Sequence, residues 1–207
     1  MKQFNCDIYP VITERFCKNG SSVETLKRAV DGGARAVQLR EKEYPKGKIL
    51  EMARRCREIT FAAGALLIIN DHVDIALISG ADGVHLGQDD ISCRDARSIA
   101  PDLIIGVSTH NLGEAFAAIE AGADYINIGP IFRTDTKNTV VGPLGTGAIA
   151  EVSARVSAPF TVMGGIKERH LPGLIESGAR RVAMVTEITM SDDVRGTVER
   201  LRRYFRP

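Results

Sequence analysis

A short phrase recurs four times along the chain and constrains its fold more than any other feature. Gly-Ala-Arg-Ala-Val-Gln-Leu begins at Gly33, Gly-Ala-Asp-Gly-Val-His-Leu at Gly80, Gly-Ala-Asp-Tyr-Ile-Asn-Ile at Gly122 and Gly-Ala-Arg-Arg-Val-Ala-Met at Gly178. Each time a helical pattern stops at a glycine, which can take the left-handed cap conformation, and an apolar strand follows within a few residues. The copies recur roughly every 40–55 residues, the span of two βα units rather than of one solenoid repeat.

Between the copies lie four more apolar, β-rich runs, at residues 8–13, 66–70, 103–108 and 160–163. Helical patterns alternate with them, for example over 48–63, 112–121 and 194–204. The strand runs are apolar almost throughout, as parallel strands covered on both faces must be. Strict alternation of eight strands with helices reads as a closed, parallel, eight-stranded (β/α)8 TIM barrel spanning 1–207 as one domain. The rival, a doubly wound open sheet, normally carries a glycine-rich turn after its first strand, and residues 10–15 contain none.

Length and charge agree. A chain of 207 residues suits one domain, at the short end for this barrel. Lys+Arg 27 against Asp+Glu 26 leaves a net charge of +1, so no global field draws the protein to nucleic acid or an acidic membrane. Any anion must be held by a local site. The cysteines, Cys6, Cys17, Cys56 and Cys93, are scattered without a CxxC pair and read as reduced thiols. The N-terminus has no run long enough for a signal peptide and nothing later suits a bilayer, so a cytoplasmic location is expected.

In such a barrel the chemistry collects at the C-terminal strand ends and the loops after them. Strand 2 runs into Gln38-Leu39-Arg40-Glu41-Lys42, where Gln38, Arg40 and Lys42 alternate and point the same way. Two cations there suit a diphosphate; a solvated loop with Glu41 pairing locally is the plainer reading. Strand 3 ends in Asn70-Asp71-His72 and strand 4 in His85-Leu86-Gly87-Gln88-Asp89-Asp90. Asp71 serves either as the cap of the next helix or, with Asp90, as a hard-oxygen ligand of Mg2+. Ser92 is the better cap of its helix, which frees Asp90, whereas His85 points into the barrel or its lower layers with no catalytic role expected.

Ser108, after strand 5, has no Gly-x-Ser-x-Gly elbow and no evident partner for nucleophilic work, so a hydrogen bond to substrate is expected. After strand 6, Thr134, Thr136 and Lys137 sit in a long glycine-flanked loop, the makings of an oxyanion cradle. Gly164-Gly165 after strand 7 and Thr186 after strand 8 fall where this fold commonly holds phosphate.

Taken together, Gln38-Leu39-Arg40-Glu41-Lys42, Asn70-Asp71, Gly87-Gln88-Asp89-Asp90, Gly129-Pro130-Ile131-Phe132 with Thr134-x-Thr136-Lys137, and Gly164-Gly165-Ile166 resemble the thiamine-phosphate synthase family, strand by strand over the whole chain. The resemblance implies a transferase that joins an aminopyrimidine-methyl diphosphate to a thiazole phosphate and releases pyrophosphate. It implies Arg40, Lys42, Asn70 and Lys137 on the diphosphate, Asp71 and Asp90 on Mg2+, and Gln38 and Ser108 on the pyrimidine. It also implies Thr134 and Thr136 at the carboxylate or phosphate end of the thiazole, and Gly165, Val185 and Thr186 on its phosphate. Partners are then the two small substrates, with neither nucleic acid nor membrane, and a homodimer is possible. Val185-Thr186-Glu187-Ile188 departs from the Val-Ser-Ala-Ile expected there, and Glu187 brings a negative charge near a phosphate. Alternatives are the thiazole tautomerase paralogue, whose catalytic His falls where this chain has Pro130, and a non-catalytic binder of thiazole phosphate. A phosphate-binding aldolase or epimerase is disfavoured, because Lys42 lies past its strand end.

Overall fold

The computed structural model describes residues 3–134, 136 and 141–206. Eight strands, β1 (Ile8–Ile12), β2 (Ala36–Leu39), β3 (Leu66–Asn70), β4 (Gly83–Leu86), β5 (Ile104–Thr109), β6 (Tyr125–Ile128), β7 (Phe160–Val162) and β8 (Val182–Met184), form a closed barrel in sequence order. Every pairing is parallel, and β8 returns to β1 with Val182 opposite Ile8 and Met184 opposite Pro10. The open-sheet alternative is thereby excluded.

The helices are α1 (Ser22–Asp31), α2 (Lys46–Ala62), α3 (Val73–Ser79), α4 (Cys93–Ile99), α5 (Leu112–Glu120), α6 (Gly147–Arg155), α7 (Leu171–Glu176), the short α8 (Thr186–Thr189) and α9 (Val194–Arg202). The expected helices at 48–63, 112–121 and 194–204 fall within two residues of α2, α5 and α9, the last turn of α9 tightening to a 3-10 turn at Arg203–Phe205. Four helices start on polar caps: Ser21, Ser92, Asn111 and Asp193 each accept a backbone N–H three residues on.

The strands lack sequence alternation because each feeds two cores. Ile8 and Ile12 of β1 pack outward against the helices, whereas Tyr9 and Val11 face the barrel interior with Ile68, Ile104, Tyr125 and Ala183. Fully buried chains such as Ile8, Leu67 and Ile105 contribute about 2 kcal/mol each. The repeated phrase has a physical basis in two of its letters. Its glycines, Gly33, Gly80, Gly122 and Gly178, all have positive φ, between 67° and 102°. Its aspartates tie the bottom rim: Asp82 accepts from Leu67 N at 2.9 Å and pairs with Arg57, and Asp124 accepts from Ile105 N at 2.7 Å and pairs with Arg97. All four cysteines are free and buried, and no described helix is long and apolar enough to cross a membrane.

Asp7 plays the same part at the seam. It accepts from Ile8 N at 2.7 Å, from Arg35 at 2.8 Å and from Arg202 at 3.0 and 3.1 Å, so it joins β1, the start of β2 and the end of α9. Burial alone would raise its pKa, but the two guanidiniums and the Ile8 N–H outweigh burial and hold it below 3.8. An Asp7→Ala variant should lose about 3 kcal/mol of stability in urea unfolding, because it strands the largely buried Arg202 guanidinium at the seam and leaves the Ile8 N–H without its acceptor. A carboxylate with a depressed folded pKa stabilises fully above its unfolded value and loses that contribution as pH falls through the folded one. The gap between parent and variant should therefore be full at neutral pH and narrow below pH 3.8.

Candidate active site

Among the recesses that the described residues form at the C-terminal rim, one of about 230 Å3 lies over the β1 and β2 loops, with Arg40 and Lys42 in its wall, and two others adjoin one another at Ser108 and Met163, which line both. Of this adjoining pair the first, about 140 Å3, lies over β2–β5 and is lined by Gln38, Arg40, Lys42, Asn70, Asp71 and Asp90 among others. The second, about 80 Å3, lies over β5–β7 and is lined by Asn127, Thr134, Thr136 and Gly164 among others. The alternation of Gln38, Arg40 and Lys42 thus brings all three to one recess, as their spacing suggests.

The first recess is charged and incompletely paired. Arg40 is half-buried, and its guanidinium makes no hydrogen bond or ion pair with any described residue; burial pulls its pKa down while Asp71 opposes the shift. The Asn70 Nδ2 is buried and has no partner among the described residues. Lys42 reaches back to Asp71 at 2.8 Å. Such donors are costly to leave unpaired, which suits this corner to an anion.

Asp71 and Asp90 face one another from neighbouring loops. Burial and the adjacent Asp71 carboxyl push the Asp90 pKa up, against a bond from Gly87 N at 2.7 Å. The helix-cap reading of Asp71 is overturned: His72 holds the cap position of α3 without a side-chain bond, and Asp71 sits at φ 62° with its carboxylate on Lys42. A left-handed conformation is uncommon for any residue but glycine, and it aims this carboxylate back over the rim. Ser92 does cap α4, leaving Asp90 to the recess.

Three expectations need correction. Glu41 is not part of a solvated loop: it is buried, accepts from Glu14 N at 2.9 Å and from the Ser22 hydroxyl, and stitches the β1 and β2 loops together. Ser108 does have a partner, since His85 Nε2 lies 2.9 Å from its hydroxyl oxygen. His85 enters the barrel as expected, yet its ring reaches up to the site rather than down into the lower layers.

On the other side, Thr134 and Thr136 hydroxyls meet at 2.9 Å. Lys137 lies outside the described residues. Gly165, Val185 and Thr186 line neither recess; Gly165, at φ 61°, lies against the β6 loop, where an added Cβ would meet Arg133 O at 2.2 Å. Glu187 turns aside: it accepts from Glu168 N at 3.0 Å and pairs with Lys167 at 3.3 Å, and the same ammonium is 3.4 Å from the Thr186 hydroxyl. Its charge is therefore neutralised beside the β8 loop. Sequence reasoning passed over Lys167, because nothing in Gly-Gly-Ile-Lys shows which acid it meets.

Glu41→Ala should cost about 2 kcal/mol in urea unfolding, because it leaves the Glu14 N–H and the Ser22 hydroxyl without their charged acceptor.

The family model described as thiamine monophosphate synthase matches residues 8–188. The thiamine-phosphate synthase of Shouchella clausii is 43% identical over 97% of this chain and 96% of its own. That of Halalkalibacterium halodurans is 42% identical over 93% and 92%. Among solved structures, a thiamine phosphate pyrophosphorylase from Pyrococcus furiosus superposes with a TM-score of 0.89 at 34% identity, covering 97% of this chain and 95% of its own. A 3-hexulose-6-phosphate synthase, at 16% identity and a TM-score of 0.74, shares the fold alone. With cations and paired acids at one side of its barrel mouth, hydroxyls at the other, and these relatives, the chain belongs to the thiamine monophosphate synthase family.

Proposed function

We propose that the β2–β5 recess takes the pyrimidine diphosphate, the β5–β7 recess takes the thiazole, and the two react above Ser108 and Met163. The observation that carries this is the pair of adjoining recesses with opposite chemistry, one basic and acid-paired, the other built of hydroxyls and glycine backbone. Membership of the family makes the chain a transferase of thiamine biosynthesis. The carbon–oxygen bond between the pyrimidine methylene and diphosphate breaks, the diphosphate leaves with the electron pair, and the thiazole nitrogen lone pair forms the new carbon–nitrogen bond.

Arg40, Lys42 and Asn70 bind the diphosphate, joined by Lys137 on the strength of the motif. Gln38 and Ser108 hold the pyrimidine. Thr134 and Thr136 hold the carboxylate or phosphate end of the thiazole, and Gly165, Val185 and Thr186 its phosphate. Asp71 and Asp90 fit Mg2+: two carboxylates that meet from adjacent loops suit an ion that keeps waters and takes its remaining oxygens from phosphate. When bound there, Mg2+ offsets the charge that develops on the departing diphosphate. No protein nucleophile is required; fixing two substrates in adjoining recesses supplies the entropic part of the rate gain. The neutralised Glu187 leaves the thiazole phosphate site compatible with turnover. A cytoplasmic, single-domain enzyme is part of the same proposal.

Purified protein, both substrates and Mg2+ should form thiamine phosphate, and EDTA should stop it. Replacing both Asp71 and Asp90 with Asn should lower kcat/KM at least about 100-fold. Turnover indifferent to both treatments would overturn the assignment of the acid pair.

Lys42→Ala should weaken inorganic pyrophosphate binding about tenfold in calorimetry, the scale of one charge-assisted hydrogen bond. Unchanged pyrophosphate affinity would move the diphosphate away from this corner.

A further inference from the structure

Five side chains from five strands form one hydrogen-bonded line through the barrel. Gln38 Nε2 donates to the Tyr9 hydroxyl at 2.9 Å, and the Tyr9 and Tyr125 hydroxyls lie 3.1 Å apart. The Tyr125 hydroxyl is 2.9 Å from His85 Nδ1, and His85 Nε2 is 2.9 Å from Ser108 Oγ. Both ends, Gln38 and Ser108, line the β2–β5 recess, whereas the two phenols are sealed at 1% and 0% exposure.

The surroundings are shaped to this line. Phe4, ahead of β1, stacks on Tyr125 with ring centroids 3.7 Å apart and closes the barrel beneath it. Gly106 leaves the space the phenol occupies: a Cβ there would lie 2.1 Å from Tyr125 Cζ and 2.4 Å from its hydroxyl oxygen.

The Gln38 amide, set with its Nε2 towards Tyr9, gives the line a direction. Burial raises the pKa of both phenols, so each keeps its single proton. The Tyr9 oxygen receives the Gln38 amide N–H, so Tyr9 gives its own proton to Tyr125. Tyr125 then gives its proton to His85 Nδ1. An imidazole accepting at Nδ1 carries its proton on Nε2, where it meets Ser108 Oγ. The Ser108 proton is left over for the recess, and so is the Gln38 carbonyl oxygen. Reversing the line requires Gln38 to turn its carbonyl to Tyr9 and Ser108 to give its proton to His85, so the two ends change together. In a dry interior the bonds of such a chain strengthen one another, so its members share one direction.

We propose that Tyr9, Tyr125 and His85 are positioning residues that impose this polarity, making Ser108 a hydrogen-bond donor and the Gln38 carbonyl an acceptor towards the pyrimidine. The recess is thereby matched to a ring with an amino group and unprotonated ring nitrogens. It is mismatched to the oxo analogue, which lacks the amino N–H and carries a proton on a ring nitrogen. This rests on the reading that the pyrimidine lies between Gln38 and Ser108; the direction of the line itself does not.

The test has two arms. In protein labelled with 15N-histidine, with His85 signals assigned against a His85→Gln variant, NMR should show Nδ1 unprotonated and Nε2 protonated. The Nδ1–H tautomer or an imidazolium would overturn the polarity, whatever the enzyme does. In steady-state kinetics, Tyr125→Phe and Tyr9→Phe should each raise KM for the pyrimidine diphosphate about tenfold, the loss of one buried polar contact, and leave KM for the thiazole phosphate within about twofold. Both should also narrow the preference for the amino over the oxo pyrimidine. An equal change in both KM values, or none, would overturn the positioning role. Should either phenol variant fail to fold, the wild-type tautomer and the other variant still decide the matter.

Discussion

The return of β8 to β1 is the constraint on which everything else depends. Val182 opposite Ile8 and Met184 opposite Pro10 turn an all-parallel sheet into a ring, so every strand ends on the same rim. Residues far apart in the chain, such as Gln38, Asn70, Asp90 and Ser108, then converge without any long loop to carry them. The opposite rim is devoted to closure: Asp7, Asp82 and Asp124 each take a strand N–H and an arginine. Stability and chemistry are thus assigned to opposite ends of the barrel.

At the working rim the charges are arranged to be completed by ligands. Burial and Asp71 raise the Asp90 pKa, Arg40 is half-buried without a partner among the described residues, and the Asn70 amide donates to nothing described. A cation between the acids and an anion on the donors would relieve all three at once. Among its described residues the recess next door is lined by the hydroxyls of Ser108, Thr134 and Thr136, which suits a second substrate held through hydrogen bonds. Glu41 and Glu187, the acids that could spoil this balance, are tied into the loops around it, one by Glu14 N and Ser22, the other by Lys167 and Glu168 N.

Much of this was legible in the sequence because the repeat carries geometry. The glycines of the phrase announce the left-handed turns, and unbroken apolar runs announce strands covered on both faces. The cluster Gln38, Arg40, Lys42, Asn70, Asp71 and Asp90 follows from strand ends alone. What the sequence hides is partnership across the barrel. Tyr9 and Tyr125 read as ordinary strand aromatics, 116 residues apart, until closure brings their hydroxyls together. Ser108 looked partnerless because His85 lies on a different strand, and Asp71 passed for a helix cap because its positive φ has no glycine to signal it. Glu41 seemed solvated because Ser22 and Glu14, its partners, lie in the preceding βα unit.

The central claim is that the paired acids and the neighbouring donors together hold a metal diphosphate. Diffraction from crystals grown with Mn2+ in place of Mg2+ and with inorganic pyrophosphate addresses it most directly. The account predicts an anomalous peak shared by the carboxylates of Asp71 and Asp90, with pyrophosphate oxygens completing the ion's shell and reaching Arg40 and Asn70. A peak elsewhere on the barrel, or pyrophosphate seated in the threonine-lined recess, would contradict it.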